Sequence, residues 1–209
     1  MNDLMSLGMH RLWKKRFVET VDLKENEIIL DVGSGSGDIA SEILKENLST
    51  SLYLLDLNEE MLSEGRKRLR KEKNIKYFIG NAEKLNFENN FFDKYTISFC
   101  LRNVTEYLLS IKEAYRVLKP GGKYCCLEFS TPKSSLVSSS YKIYKSKILP
   151  LLGEIVAKDK NAYKYLSESI DLFPSQEELS KNLRDCGFTK VETINLFNGI
   201  VAIHTGYKL

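Results

Sequence analysis

Chemistry in this chain gathers first in the run Leu30-Asp31-Val32-Gly33-Ser34-Gly35-Ser36-Gly37-Asp38, a strand end leading into a helix. A tight strand-to-helix turn needs backbone angles closed to most side chains. A ligand approaching the backbone needs residues without a Cβ, and glycine meets both demands. The spacing is GxGxG. A dinucleotide fingerprint reads GxGxxG, and its third glycine would fall where the chain has Asp38. A carboxylate there complements a helix start but repels a pyrophosphate. The turn from Asp31 to Asp38 therefore suits a cofactor with no phosphate and a cationic centre.

Further polar residues follow the next apolar runs. Asp56, in Leu54-Leu55-Asp56-Leu57-Asn58, can accept both hydroxyls of a ribose; Asn81-Ala82-Glu83 can meet an adenine edge; Ser98 and Phe99 close the fourth run. Each falls at the carboxyl end of a strand, where parallel sheets bind ligands. Singly, Asp56 and Asn81 read equally well as turn or cap residues. Jointly, with Lys119-Pro120-Gly121-Gly122 at regular spacing, they point to S-adenosylmethionine and a methyltransferase.

The elements that must position these residues alternate. Apolar runs at Ile28 to Val32, Leu52 to Leu57, Ile75 to Ile79, Tyr95 to Cys100 and Lys123 to Phe129 read as strands. Asp38 to Glu46, Glu59 to Glu72 and Thr105 to Leu118 have helical periodicity, the last stopped sharply by Lys119-Pro120-Gly121-Gly122. This is a βαβ pattern with a parallel sheet. Thr189 to Phe197 and Ile200 to Lys208 are β-rich runs around Asn198-Gly199, a hairpin signal, so the sheet closes with an antiparallel strand. Residues 131–174 break the alternation and read as an inserted helical cover.

The 209 residues, 43% hydrophobic, suit one domain that folds without disulfides or structural metals. A net charge of +3, from 31 basic and 28 acidic side chains, gives no strong field for a nucleic acid. Cys100, Cys125, Cys126 and Cys186 make no CxxC or Cys/His cluster, which predicts a reducing compartment and no metal. No apolar run approaches the ~20 residues of a membrane span, and no signal-peptide core is present. A soluble or peripheral protein is expected.

These motifs resemble class I S-adenosylmethionine-dependent methyltransferases. More narrowly, the chain resembles the C-methyltransferase family of ubiquinone and menaquinone biosynthesis. Met1 to Lys14, Asn81-Ala82-Glu83, Ile97 to Val104, Tyr115 to Gly122, Leu127 to Ser130, Tyr163 to Ile170 and Gly199 to Lys208 carry the likeness. It covers essentially the whole chain, the insertion included. The resemblance implies a Rossmann-like α/β fold: a seven-stranded, mostly parallel sheet with one antiparallel strand and a helical insertion after the fifth. It implies a single methyltransferase domain, 1–209, with a helical N-terminal segment, 1–27, and a substrate cover, 131–174. It further implies cofactor contacts at Ser36, Asp56, Asn81, Ala82 and Ser98, with Asp31 in the turn and backbone approach at Gly33 and Gly35. The implied acceptor is a polyprenylated quinol, a 2-methoxy-6-polyprenyl-1,4-benzoquinol or a demethylmenaquinol, methylated at a ring carbon. Family members usually carry a further segment with a Tyr-Asp pair before the position of Met1, which would help to cover the cofactor.

A quinol ring carbon becomes nucleophilic when a neighbouring hydroxyl, of pKa near ~10, loses its proton. Stabilising that phenolate is the catalytic problem. Arg102, just past the fourth strand, is expected to hold the oxyanion, with Asn103 orienting a water or the quinol oxygen; a structural ion pair is the competing role for Arg102. Glu128 can act as proton acceptor where burial raises its pKa, or equally as a helix cap or ion-pair partner. His10 and His204, the only imidazoles, are weaker candidates for a base. Tyr141, Tyr144, Tyr163, Tyr165 and Trp13 either line an aromatic slot or pack the cover.

A prenyl tail implies peripheral membrane contact, for which Lys133, Lys142, Lys145 and Lys147 beside apolar residues offer a basic surface. A homodimer or a quinone-synthesis complex is expected, and no nucleic acid. The closing strand resembles mitochondrial and alphaproteobacterial members, which favours the matrix side of the mitochondrial inner membrane, with the bacterial cytoplasm as the alternative. Two other functions fit the same motifs: a non-catalytic cofactor-binding subunit of a quinone-synthesis complex, and a small-molecule O- or N-methyltransferase. The second would not require a phenolate stabiliser at Arg102.

Overall fold

The computed structural model describes residues 9–46, 48–130, 165 and 168–209. Its strands are β1 (Ile28–Val32), β2 (Ser51–Asp56), β3 (Ile75–Ile79), β4 (Phe92–Ser98), β5 (Leu118–Phe129), β6 (Thr189–Leu196) and β7 (Val201–Tyr207). They form one sheet in the order β3-β2-β1-β4-β5-β7-β6. β1 to β5 pair in parallel, and β7 runs antiparallel to both β5 and β6, as expected. The apolar runs are continuous because the central strands are buried on both faces. Ile29, Leu52, Leu54, Cys125 and Leu127 meet Phe17 and Val18 of α1 (Met9–Val21), Ile39 and Ile43 of α2 (Asp38–Ile43) and Leu62 of α3 (Glu59–Arg68). The alternate residues Leu30, Tyr53, Tyr95, Ile97 and Tyr124 meet Ile111 and Ala114 of α4 (Tyr107–Val117) and Leu179 and Leu183 of α5 (Gln176–Asp185) on the other face.

β2, β4 and α4 are shifted by one to three residues from the expected Leu52 to Leu57, Tyr95 to Cys100 and Thr105 to Leu118, and three further boundaries differ more. The helix expected to reach Glu72 ends at Arg68. Lys119-Pro120-Gly121-Gly122 does not interrupt the chain before a strand; it lies inside β5, where the pairing with β4 slips between Phe92 and Lys94. Glycine is needed there, since a Cβ on Gly122 would sit 2.8 Å from the Lys119 carbonyl oxygen. The β6–β7 connection is four residues, the turn Phe197–Gly199 with positive φ at all three and then Ile200, wider than the two-residue hairpin that Asn198-Gly199 suggests. Of the expected cover, Tyr141, Tyr144, Tyr163 and the four lysines 133, 142, 145 and 147 lie outside the described residues, as do residues 1–8.

The strand order reverses between β1 and β4, and a crevice at their carboxyl ends is where such sheets bind ligands. Asp31, Asp56, Asn81, Ser98, Arg102 and Glu128 all lie at or just past the carboxyl ends of β1 to β5.

Candidate cofactor and acceptor site

The cofactor side is built on β1 and β2. Asp31 pairs across the sheet with Thr96 of β4, whose hydroxyl donates to Asp31 Oδ1 at 2.8 Å. The other oxygen, Oδ2, is buried with no hydrogen-bond partner. Burial, reinforced by the nearby Asp56, pushes the Asp31 carboxyl up to about 7. Above it the glycine turn is tied by Asp56: Oδ2 accepts from the Gly35 amide at 2.7 Å and Oδ1 from the Asn58 amide at 2.9 Å. Each carboxylate oxygen keeps lone pairs for further donors. Gly33 and Gly35 answer different needs. A Cβ at Gly33 would overlap Cys100 Sγ at 2.2 Å, so that glycine serves the packing of the β4 end. At Gly35 only Met61 Cε comes near, at 3.3 Å, leaving the backbone open to a ligand.

Asp38 changes the electrostatic argument drawn from sequence. It is held by Lys14 of α1 and Arg68 of α3, which together outweigh its burial and keep its carboxyl below the usual range. With two cations on it, Asp38 is a clasp joining three helices, and its repulsion of a phosphate is largely cancelled. The case against a dinucleotide then rests on the missing third glycine.

Asn81 is partly a turn residue: Oδ1 accepts from the Glu83 amide at 2.9 Å and Nδ2 donates to Glu83 Oε2 at 3.1 Å. Ala82 is buried in the core, so only its backbone can serve a ligand. Ser36 lies where Gly65 lets α3 approach its backbone, and Ser98 carries a buried hydroxyl with no partner, as does Ser34. Three buried polar atoms without partners, an open glycine and an anchored carboxylate with spare acceptors suit a ligand bearing a cation and several hydroxyls. S-adenosylmethionine has those groups.

The acceptor side is built on β4 and β5. Phe99 takes φ 52°, a left-handed conformation costly for an aromatic residue, and the chain then turns through Leu101–Asn103. Arg102 folds back under this turn. Its Nη1 donates to the Phe99 carbonyl at 2.6 Å and to Glu128 Oε1 at 2.9 Å, and its guanidinium lies 5.4 Å from the Phe129 ring centre. Arg102 Nε is buried with no partner. The ion-pair role for Arg102 is thus real, and it leaves the buried Nε–H unused. Glu128 also accepts from the Phe129 amide at 2.8 Å; burial pushes its carboxyl up, against the pull of Arg102. Trp13 packs against Phe99 and Phe129, closing the aromatic wall from α1. Asn103 is exposed and its Oδ1 accepts from the Tyr165 hydroxyl at 3.2 Å.

Of the two histidines, His204 is buried in β7, its Nε2 3.2 Å from the Gln176 carbonyl oxygen at the start of α5. That contact makes it part of a strut between α5 and the sheet. Sequence reasoning missed Thr96, Ser34, Phe129 and the Lys14–Asp38–Arg68 clasp. Lys14 carried a signal: it shares the apolar helical face of Phe17, Val18 and Val21, where a lysine needs an acid. Among the described residues no cluster of His, Cys, Asp or Glu could hold a metal, and no helix is long and apolar enough to cross a membrane.

Comparison with known proteins fits this geometry. The solved S-adenosylmethionine-dependent methyltransferase of Aquifex aeolicus superposes with TM-score 0.70 at 19% identity, over 95% of this chain and 93% of that one. Haemonchus contortus phosphoethanolamine N-methyltransferase 2 in complex with S-adenosyl-L-methionine gives TM-score 0.71 at 17% identity, over 93% of this chain and 52% of that one. Both likenesses concern the fold. In sequence, the chain is 50% identical to Rickettsia bellii "Ubiquinone/menaquinone biosynthesis C-methyltransferase UbiE", over 100% of this chain and 87% of the relative. The model of the ubiE/COQ5 methyltransferase family matches residues 1–208, and the chain belongs to that family.

Proposed function

We propose that this protein is an S-adenosylmethionine-dependent C-methyltransferase acting on a ring carbon of a polyprenylated quinol, a 2-methoxy-6-polyprenyl-1,4-benzoquinol or a demethylmenaquinol. The observation that carries the acceptor chemistry is the unused, buried Nε–H of Arg102 at the β4 end, two residues past Cys100, which packs against Gly33 of the glycine turn. The printed name of the rickettsial relative supports the same substrate class. Asp31, Gly33, Gly35, Ser36, Asp56, Asn81, Ala82 and Ser98 would hold the cofactor: Asp56 by its spare acceptors, Gly35 and Ala82 by backbone, Ser98 by its hydroxyl. When bound, the cofactor supplies an electrophilic methyl group. The protein's work is alignment and exclusion of water. Arg102 receives the developing phenolate, and Asn103, steadied by Tyr165, orients the neighbouring oxygen or a water.

The rickettsial relative favours a bacterial enzyme over the mitochondrial one expected from the closing strand, cytoplasmic and peripheral to the membrane that carries its substrate. A single catalytic unit fits the one continuous sheet of the described residues. A homodimer or quinone-synthesis complex is compatible with this placement. Labelled methyl transfer from S-adenosylmethionine to short-chain demethylated quinols, kept reduced, tests the proposal by mass spectrometry of the product. A methyl group on ring carbon is expected; methylation on oxygen, or no transfer, overturns it.

A further inference from the structure

Glu128 sits at the end of β5 with 1% of its surface exposed, directly beneath the loop that carries Arg102. Its contacts are all with donors: Arg102 Nη1 at 2.9 Å, the Arg102 amide at 3.3 Å and the Phe129 amide at 2.8 Å. That is the environment of an ionised carboxylate, which only accepts. A general base in this position would have to give up its guanidinium partner to take a proton. The other titratable groups bearing on it are the thiols of Cys100 and Cys126. β7 sets Ala202 opposite it, and α1 brings Trp13 to the adjoining Phe129.

The geometry points to Glu128 as a positioning residue for Arg102: it fixes one guanidinium nitrogen so that Nε faces the acceptor, and its charge tempers the cation the acceptor oxygen meets. This rests on the reading of Arg102 as phenolate stabiliser. Two effects follow, and they separate. Holding the guanidinium in place favours turnover. The negative charge beside it makes the acceptor hydroxyl harder to ionise, because an opposite charge withdrawn from a cation strengthens that cation's hold on an anion. Glu128→Gln keeps the size and one acceptor while removing the charge. Glu128→Ala removes both.

The test is kcat and KM against pH for both variants and Arg102→Ala, with a reduced short-chain quinol as acceptor. The visible absorbance of a bound nitrophenol is titrated in parallel, as a readout free of turnover, and fluorescence of the single tryptophan, Trp13, checks folding. In Glu128→Gln the acid limb of kcat and the pKa of the bound nitrophenol should both fall by about 1 unit, with the plateau kept within ~3-fold. Glu128→Ala should lose ~10–100-fold in kcat at nearly constant KM. A folded Glu128→Gln with the original limb and nitrophenol pKa overturns the proposal. So does abolished turnover at every pH, which makes Glu128 the base. Where Glu128→Gln does not fold, Glu128→Asp should move both readouts the same way by less, and no movement there counts equally against it. Wild-type kcat in Arg102→Ala would instead overturn the underlying reading of Arg102.

Discussion

The two sides of the crevice are built by different means. On the β1–β2 side the ligand-facing groups are largely backbone, shaped by glycine and tied down by one carboxylate, Asp56. On the β4–β5 side the work falls to a side-chain network in which a part-buried arginine holds its own loop, a buried glutamate and an aromatic wall. A backbone site can be shared by any chain that makes the turn. A side-chain network is particular to its chemistry, so under the proposed function the cofactor is met by features common to the fold and the acceptor by Arg102 and its partner Glu128.

The sharpest way to test the division is to damage each side and ask which property fails. Asp31 titrates near 7 in the fold against 3.8 for the ordinary carboxyl, so the folded protein holds a proton that the unfolded chain has released. Between those values the folded state binds more protons and its stability must fall as pH rises, by up to about 4 kcal/mol in the ligand-free protein. Asp31→Asn should flatten that loss in urea titrations from pH 4 to 8 and weaken cofactor binding. Arg102→Ala belongs to the other side. Its kcat should drop by ~10²–10³ while cofactor affinity by calorimetry changes little.

Gly33→Ala should cost about 2–3 kcal/mol in denaturant unfolding, from a positive φ and a Cβ pressed on Cys100. Gly33→Ala with Cys100→Ala should recover part of it, which would separate contact from backbone strain. The smallest effect is expected at the helix clasp. Lys14→Met leaves Arg68 on a half-open Asp38 and should cost about 1 kcal/mol by thermal unfolding. If it instead cost cofactor affinity alone, the clasp would belong to the site.

The fold was legible because periodicity records burial, and here burial alternates between two helical layers along the same strands. Strands β1 and β3 have the limits that their apolar runs suggest. The errors at the Lys119-Pro120-Gly121-Gly122 segment and at Asn198-Gly199 share a cause: strand ends depend on pairing partners, which local sequence does not contain. The cofactor side was legible for the same reason the turn is shared, since glycine spacing and strand-end acids are local marks. The relation of Arg102 to Glu128 was not. The two are 26 positions apart, and only the β4–β5 pairing makes them neighbours. Sequence could offer each a role, and in each case two; the contact shows that the ion pair exists and that a donor remains. The Asp38 argument failed likewise, because its cations come from α1 and α3.

Asp31 and Thr96 face each other across adjacent strands, and the glycine turn and the Phe99 turn grow from those same two ends. The gap between cofactor half and acceptor half is then a repeat of the sheet itself, roughly 4.8 Å, the spacing of paired backbones. Such a dimension is rigid and the same in every relative that keeps the pairing. Adapting the reaction to a bulkier ring or a longer tail cannot come from widening it. That freedom belongs to residues outside the hydrogen-bonded lattice, which can vary while the reacting atoms keep a fixed gauge.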